Sequence, residues 1–234
     1  MLPAPDTIHA CPHCGHNAYR SSFLSGNTFS SRLWSDGYLQ APMLDDAVQV
    51  TRCANCKATY WVQDAPVLER VPYGFFNQHS RTQQESRNFA LSEQQALQDD
   101  PAPSRPVPPK MEHLDQRGHL EALKELALAP HKDREAYLRL RIWWAHNQPF
   151  RNALKPATPT EDAESLANLH GLLALLETST EKGILLSAGA LAALGRYGDA
   201  RAILAELNPA RLSEEKKCFM QALKAEEGWL VALR

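Results

Sequence analysis

Four cysteines fall into two Cys-x-x-Cys pairs, Cys11/Cys14 in CPHCG and Cys53/Cys56 in CANC, with 38 residues between the pairs. A Cys-x-x-Cys turn folds the backbone so that both sulfurs point to one side. Two such turns facing each other offer four thiolates to one ion. Four soft thiolates in a tetrahedron select Zn²⁺ over hard cations, with iron as the main competitor. A redox Cys-x-x-Cys is expected once, at the start of a helix in a βαβ unit, not twice in a strand-rich region. Haem attachment needs a histidine after the second cysteine, where Gly15 stands here. The spacing therefore predicts one structural Zn²⁺ held by Cys11, Cys14, Cys53 and Cys56, because four protein ligands leave no position for water or substrate. His9, His13 and His16 lie near the first pair and are expected to be exposed or supporting rather than ligating. The fifth cysteine, Cys218, is expected to be a buried apolar thiol.

These thiols need tight turns on stiff supports. Gly15 permits the positive φ that closes the first turn, and Pro12 stiffens it. Lys57, next to Cys56, is placed to offset part of the negative charge of a four-thiolate centre. NTFSSRLW and YLQAPML flank Ser35-Asp36-Gly37, and Asp36-Gly37 is a hairpin turn signal. AVQVTR alternates toward Cys53 and ATYWVQ leaves Cys56, which puts the second pair at the tip of its own hairpin. On these residues the segment 9–65 resembles a zinc ribbon with an enlarged hairpin between its knuckles. That class hosts many functions and implies no particular activity.

The rest of the chain reads differently. QDDPAPSRPVPPK carries five prolines within residues 101–109 and is expected to be an extended spacer. RTQQESRNFALSEQQALQ before it reads as a polar, weakly packed helix. After it come helices: one from Met111 stopped at Pro130, and one over KDREAYLRLRIWWAHN stopped before Pro149. The latter is apolar on two sides and so sandwiched between neighbours. A third is opened by a capping box of Thr158, Pro159 and Glu161, and the last begins at a Ser213 cap and runs through WLVAL. Leu194-Gly195-x-Tyr197-x-x-Ala200-x-x-x-Leu204 resembles the helix crossing of a tetratricopeptide repeat, with Gly195 in the left-handed conformation and Asp199 starting the next helix. Only one unit matches, so it is a repeat relic or a well-built helical hairpin. The expected fold class is α+β: a zinc ribbon with an enlarged hairpin over residues 1–75, a polar helix and Pro-rich linker over 76–110, and an all-α, TPR-like helical-hairpin domain over 111–234. With SGNTF and WSDG in the ribbon and LRLRIWWAHN in the helices, the chain resembles bacterial proteins of this architecture, and by analogy some proteins of comparable size that lack catalytic residues are immunity proteins that plug a toxin.

A chain of 234 residues with a net charge of −2 has no overall pull toward nucleic acid or anionic membrane. The first ten residues lack the basic and apolar regions of a secretory signal, and no apolar run approaches the ~20 residues of a membrane span. A reducing cytoplasm is therefore the expected compartment. No P-loop, dinucleotide fingerprint, G-x-S-x-G or H-E-x-x-H is present, and the chain is not expected to be an enzyme. The ribbon is slightly acidic, which ill suits phosphate contact. The best basic stretch is Lys132–Lys155, with Arg134, Arg139, Arg141 and Arg151 around Trp143 and Trp144. The expected function is a non-enzymatic protein-interaction module, an adaptor or an inhibitor of the immunity type, with Trp34, Tyr38, Arg134 and Arg141 as partner-binding residues. The alternative is a regulatory zinc-ribbon protein that binds nucleic acid.

Overall fold

A computed structural model describes residues 2–21, 23–44, 46–76, 107–125, 131–153, 158–207, 214–226 and 229–233. Among the described residues short antiparallel strands come first and six α-helices follow, an α+β arrangement. The strands are β1 (Leu2–Pro3), β2 (Asp6–Ala10), β3 (Asn17–Arg20), β4 (Phe23–Ser25), β5 (Arg32–Leu33), β6 (Leu39–Gln40), β7 (Val50–Arg52), β8 (Thr59–Trp61) and β9 (Val67–Val71). The helices are α1 (Gln116–Glu125), α2 (Lys132–Ala153), α3 (Ala163–Leu173), α4 (Glu181–Ala193), α5 (Tyr197–Leu204) and α6 (Glu214–Ala225). The chain divides into two units: Met1–Asn27 with Met43–His113, and Thr28–Pro42 with Leu114–Arg234. The hairpin that the sequence places in the ribbon thus belongs with the helices. This interleaved division differs from the expected boundaries at residues 75 and 110.

In the first unit β2 is the middle strand of an antiparallel sheet ordered β3-β2-β9. A middle strand turns an apolar side chain into the core. Ile8 does so and packs with Tyr19, Val71 and Phe76. A second cluster joins Val48, Val62 and Met111. Met111 reaches it because the chain around it runs along β3: the Tyr19 N–H donates to the Pro109 carbonyl (2.9 Å) and the Met111 N–H to the Tyr19 carbonyl (2.8 Å). Met111 is therefore a core residue of the strand unit, not the start of a helix. The polar segment 81–98 and residues 101–106 of the Pro-rich stretch lie outside the described residues.

In the second unit β5 and β6 form the hairpin around Asp36-Gly37, with Gly37 at φ +76°. The turn closes through the Trp34 N–H to the Tyr38 carbonyl and the Gly37 N–H to the Trp34 carbonyl, both 2.9 Å. Asp36 is not a solvated turn residue: it is fully buried. Arg151 pairs with its carboxylate, Asn147 Nδ2 donates to it at 2.8 Å, the Tyr38 N–H donates at 3.1 Å, and Trp144 Nε1 donates to its carbonyl at 2.9 Å. Burial pushes the Asp36 carboxyl up from its ordinary range against the pull of the Arg151 guanidinium, and burial likewise lowers Arg151. The other side of the hairpin is held by residues 229–233. Ser35 N–H donates to the Val231 carbonyl (2.9 Å), Ser35 Oγ to the Trp229 carbonyl (2.8 Å) and Leu233 N–H to the Leu33 carbonyl (2.6 Å). The stretch WLVAL is therefore not helical. Tertiary pairing, together with Trp229 stacked on Trp143 at 5.7 Å, overrides its helix propensity.

Helix α2 packs against both α1 and α3 and buries Leu138, Ile142 and Trp143. It continues past Pro149 to Ala153, although proline removes the donor to the Ala145 carbonyl. Arg151 explains the continuation: it donates to the Trp144 carbonyl (2.8 Å) and to Gln148 (3.2 Å) while gripping Asp36, and this fixes the last turn. The expected capping box at Thr158 does not form. The Thr160 N–H is committed to the Ala193 carbonyl (2.9 Å), and α3 starts instead at Asp162, whose side chain accepts from the Ser165 N–H (2.8 Å). Between α4 and α5, Gly195 sits at φ +74°. Its N–H donates to the Ala192 carbonyl and that of Arg196 to the Leu191 carbonyl, both 2.9 Å, a Schellman turn that makes α4 and α5 a helical hairpin. Asp199 does not cap α5; it pairs with Arg196 at 2.7 Å in the first turn. Ser213 lies outside the described residues, and Cys218 is exposed rather than buried.

The hairpin meets α4 at Gly189, where an added Cβ would stand 2.8 Å from the Ser35 carbonyl oxygen and 3.2 Å from the Trp143 ring. Backbone cannot yield as a flexible side chain does. Gly189→Ala is expected to destabilise this unit by about 1–3 kcal/mol, the usual cost of overpacking, read as a lower denaturation midpoint of the helical signal. Among the described residues no helix is long and apolar enough to cross a membrane.

Candidate metal centre

Both cysteine pairs sit at hairpin tips. The β2–β3 register ends at Ala10 opposite Asn17 and leaves residues 11–16 to turn; the β7–β8 register ends at Arg52 opposite Thr59 and leaves 53–58. The two turns repeat one pattern. The Cys11 N–H donates to the His16 carbonyl and the Gly15 N–H back to the Cys11 carbonyl, both 2.9 Å. Correspondingly, the Cys53 N–H donates to the Ala58 carbonyl (2.9 Å) and the Lys57 N–H to the Cys53 carbonyl (3.1 Å). Each turn needs a left-handed residue after its second cysteine. Gly15 supplies it at φ +72°, whereas Lys57 adopts φ +61° with a side chain attached. A left-handed non-glycine residue costs energy that glycine does not. Lys57→Gly is therefore expected to raise the stability of the metal-loaded protein by up to about 1 kcal/mol, read as a higher thermal midpoint.

The turns bring the four thiols together. All four sulfurs lie within 4.8 Å of one another, with Cys11–Cys56 at 3.8 Å and Cys14–Cys53 at 3.6 Å. A tetrahedron with metal–sulfur bonds of about 2.3 Å has edges of about 3.8 Å, so these distances suit one ion at the centre. All four cysteines are free thiols. Cys11 and Cys53 are buried against Tyr60 and Ala65, while Cys14 and Cys56 face outward.

The surroundings split the thiols electrostatically. Desolvation pushes Cys11 up to about 12 despite the backbone N–H groups of His13 and Cys14. The backbone N–H of His16 draws Cys14 down to about 6, helped by Asn55, whose Nδ2 lies 3.7 Å from the sulfur and links the two turns. The backbone N–H of Ala58 pulls Cys56 down, but desolvation and the Cys14 and Cys53 thiols leave it raised. Tyr60 rises to about 12, first by burial and then by the four cysteines above it. Lys57 does not reach the sulfurs: its Nζ donates to the Ala54 carbonyl at 2.7 Å. Backbone amides and Asn55 therefore face the negative centre. His9 is buried, with Nδ1 3.3 Å from the Ala65 carbonyl and Nε2 2.9 Å from Thr7 Oγ1; burial lowers its pKa, and it belongs to the sheet rather than to the ligand set. The thiol cluster, in a β-rich segment followed by helices, is consistent with a zinc-ribbon-like module able to hold a metal ion.

The residues expected to meet a partner are distributed unevenly. Trp34 is 6% exposed and packs in the main core of the second unit with Trp143 and Trp229, so its ring is not offered to a partner. Tyr38 is half-buried, its ring 4.3 Å from the Arg151 guanidinium and 5.5 Å from Trp144. Tyr38, Arg141 and Trp144 line one open cleft of about 170 Å³ with Asp115 and His119, while Arg134 lies outside that lining. Asp36, Asn147 and Arg151 form a buried polar cluster in this unit. The sequence signalled only a turn at Asp36 and a basic face at Arg151. The chain matches no protein-family model, no curated protein and no solved structure.

Proposed function

We propose that this chain is a non-enzymatic zinc protein whose four-thiolate centre is structural and whose helical unit, built on TPR-like hairpin packing, binds a partner protein as an adaptor or inhibitor. The observation that carries the metal reading is the cluster of four cysteine sulfurs within 4.8 Å, contributed by two hairpin tips. Four ligands of this kind fill a tetrahedral sphere and leave no site for substrate activation. Support for the partner reading is the cleft beside Tyr38, Arg141 and Trp144. Half-buried aromatic rings next to an arginine are the residue types that dominate binding energy at protein interfaces. Arg141 lies 6.0 Å from the centre of the Trp144 ring and 5.8 Å from that of Tyr137, within reach of a cation–π contact with both.

The deciding comparison is affinity capture with wild type and with Arg141→Glu, both checked for unchanged helical circular dichroism. The expected result is one protein retained by the wild type in near-stoichiometric amount and lost by the variant. Equal capture by both would remove the cleft from the interface. Tight binding of DNA or RNA to the wild type at about 150 mM salt, weakening steeply as salt rises, would replace the protein-partner reading with nucleic-acid binding.

A further inference from the structure

Among the buried polar atoms of the second unit that lack a hydrogen-bond partner within the described residues are Trp143 Nε1, Asn147 Oδ1, Thr160 Oγ1 and Asn168 Oδ1. All four residues line the same small cavity, which offers the centre of a water-sized molecule about 10 Å³. They come from α2, α3 and the segment leading into α3. We propose that this cavity is a binding site for a single buried water molecule that joins α2, α3 and residue 160 through these four atoms.

The amide orientations are fixed by their other ends. Asn147 Nδ2 donates to the Asp36 carboxylate at 2.8 Å and Asn168 Nδ2 to the Arg139 carbonyl at 3.0 Å, so both Oδ1 atoms are left as acceptors. A water molecule donates twice and accepts twice. It gives its two protons to the Asn147 and Asn168 oxygens, accepts from the Trp143 indole N–H, and takes the Thr160 hydroxyl as its fourth partner. The donor and acceptor count closes with none left over. The volume decides the number: about 10–15 Å³ of such space is the minimum for one water, so a second does not fit. Cavities that stay dry are lined by apolar groups alone, whereas this one has four residues with unpartnered polar atoms on its otherwise apolar wall. His146 on the same wall has its Nδ1 3.3 Å from Ser165 Oγ, and burial lowers its pKa, which keeps the wall uncharged near neutrality and suits a neutral occupant. Four buried atoms left without partners would cost far more than immobilising one water. Through Asn147 the water also extends the polar cluster around Asp36 toward α3.

The test uses the full chain loaded with zinc and ¹⁵N-labelled. Water-selective NOE and ROE spectra are expected to show a cross-peak between the Trp143 indole N–H and a long-lived water. A high-resolution crystal structure is expected to show a solvent peak within hydrogen-bond distance, about 3.2 Å, of at least three of the four atoms. Thr160→Val keeps the side-chain shape and removes the hydroxyl; in a folded variant the cross-peak is expected to be lost. A wild-type indole N–H with no water cross-peak, together with density showing the two asparagines paired elsewhere, would overturn the site. An unchanged cross-peak in folded Thr160→Val would also overturn the four-partner arrangement. If that variant fails to fold, the wild-type spectra and density decide alone.

Discussion

Cys53→Ser is expected to abolish stoichiometric metal binding and unfold the first unit while leaving the helical signal largely intact. The wild type is expected to carry about one zinc ion per chain, because a four-cysteine site holds one. Metal binding to such sites is worth roughly 10–16 kcal/mol near neutral pH and is inseparable from the folding of the module around it. The sheet β3-β2-β9 and the β7–β8 hairpin are short, and their cores are small clusters. Elemental analysis gives the stoichiometry, and amide exchange over residues 2–27 and 43–76 reports the unfolding. Full zinc content in the variant would remove Cys53 from the ligand set. Loss of the helical signal along with the zinc would contradict a helical unit held by its own contacts. Acid has the same direction of effect. With Cys11 pushed up to about 12 and Cys56 also raised, both bind protons at neutral pH, so zinc must displace at least two. Apparent affinity is then expected to fall by at least about a hundredfold for each unit the pH drops below neutrality, measured by chelator competition.

Asp36→Ala is expected to cost the second unit about 3–5 kcal/mol, the usual penalty for leaving one half of a buried ion pair uncompensated. Arg151 would keep its burial and lose its anion, while Asn147 Nδ2, the Tyr38 N–H and the terminal turn of α2 would lose their shared anchor. The pair is not itself a large stabiliser, since burial already works against both charges. The double variant Asp36→Leu/Arg151→Met is therefore expected to recover most of the loss, as apolar replacement of both partners often does. Urea denaturation followed by helical circular dichroism measures each. A single variant within about 1 kcal/mol of wild type would mean that water reaches Arg151 and that the pair is not buried in solution.

What the sequence made legible was local. The Cys-x-x-Cys turns, Gly15 after the first and the Gly195 break between α4 and α5 are each set by residues a few positions apart, and all three form as expected. What it hid was decided over distance. Asp36-Gly37 signalled a turn correctly, but Asp36 is buried by Arg151, 115 positions away. Trp34 looked like a displayed hairpin aromatic because nothing nearby in sequence showed that helices cover it. Pro149 signals a helix stop by its local effect, and the grip of Arg151 on Asp36 and on the Trp144 carbonyl outweighs it. The thiol cluster joins positions 39 and 45 apart and was still readable, because its chemistry demands all four sulfurs at one point.

The hairpin of residues 28–42 also sets an order of events for a growing chain. Both cysteine pairs and strands β1–β4 and β7–β9 precede residue 76, so the metal-binding turns are made well before α1–α6 are. The hairpin between those turns waits. Its buried carboxylate has no counter-ion until Arg151 is made, and its outer strand has no neighbour until residues 229–233 are, a separation of 194 positions for the Ser35–Trp229 hydrogen bond. Contacts this remote raise contact order and slow folding. During synthesis the hairpin is therefore a tethered loop with an unpaired edge, the species on which misassembly and chaperones act. Trimming the chain before Trp229 would leave Asp36 its Arg151 counter-ion but keep the Leu33–Ser35 edge unpaired, with the helical unit missing one wall.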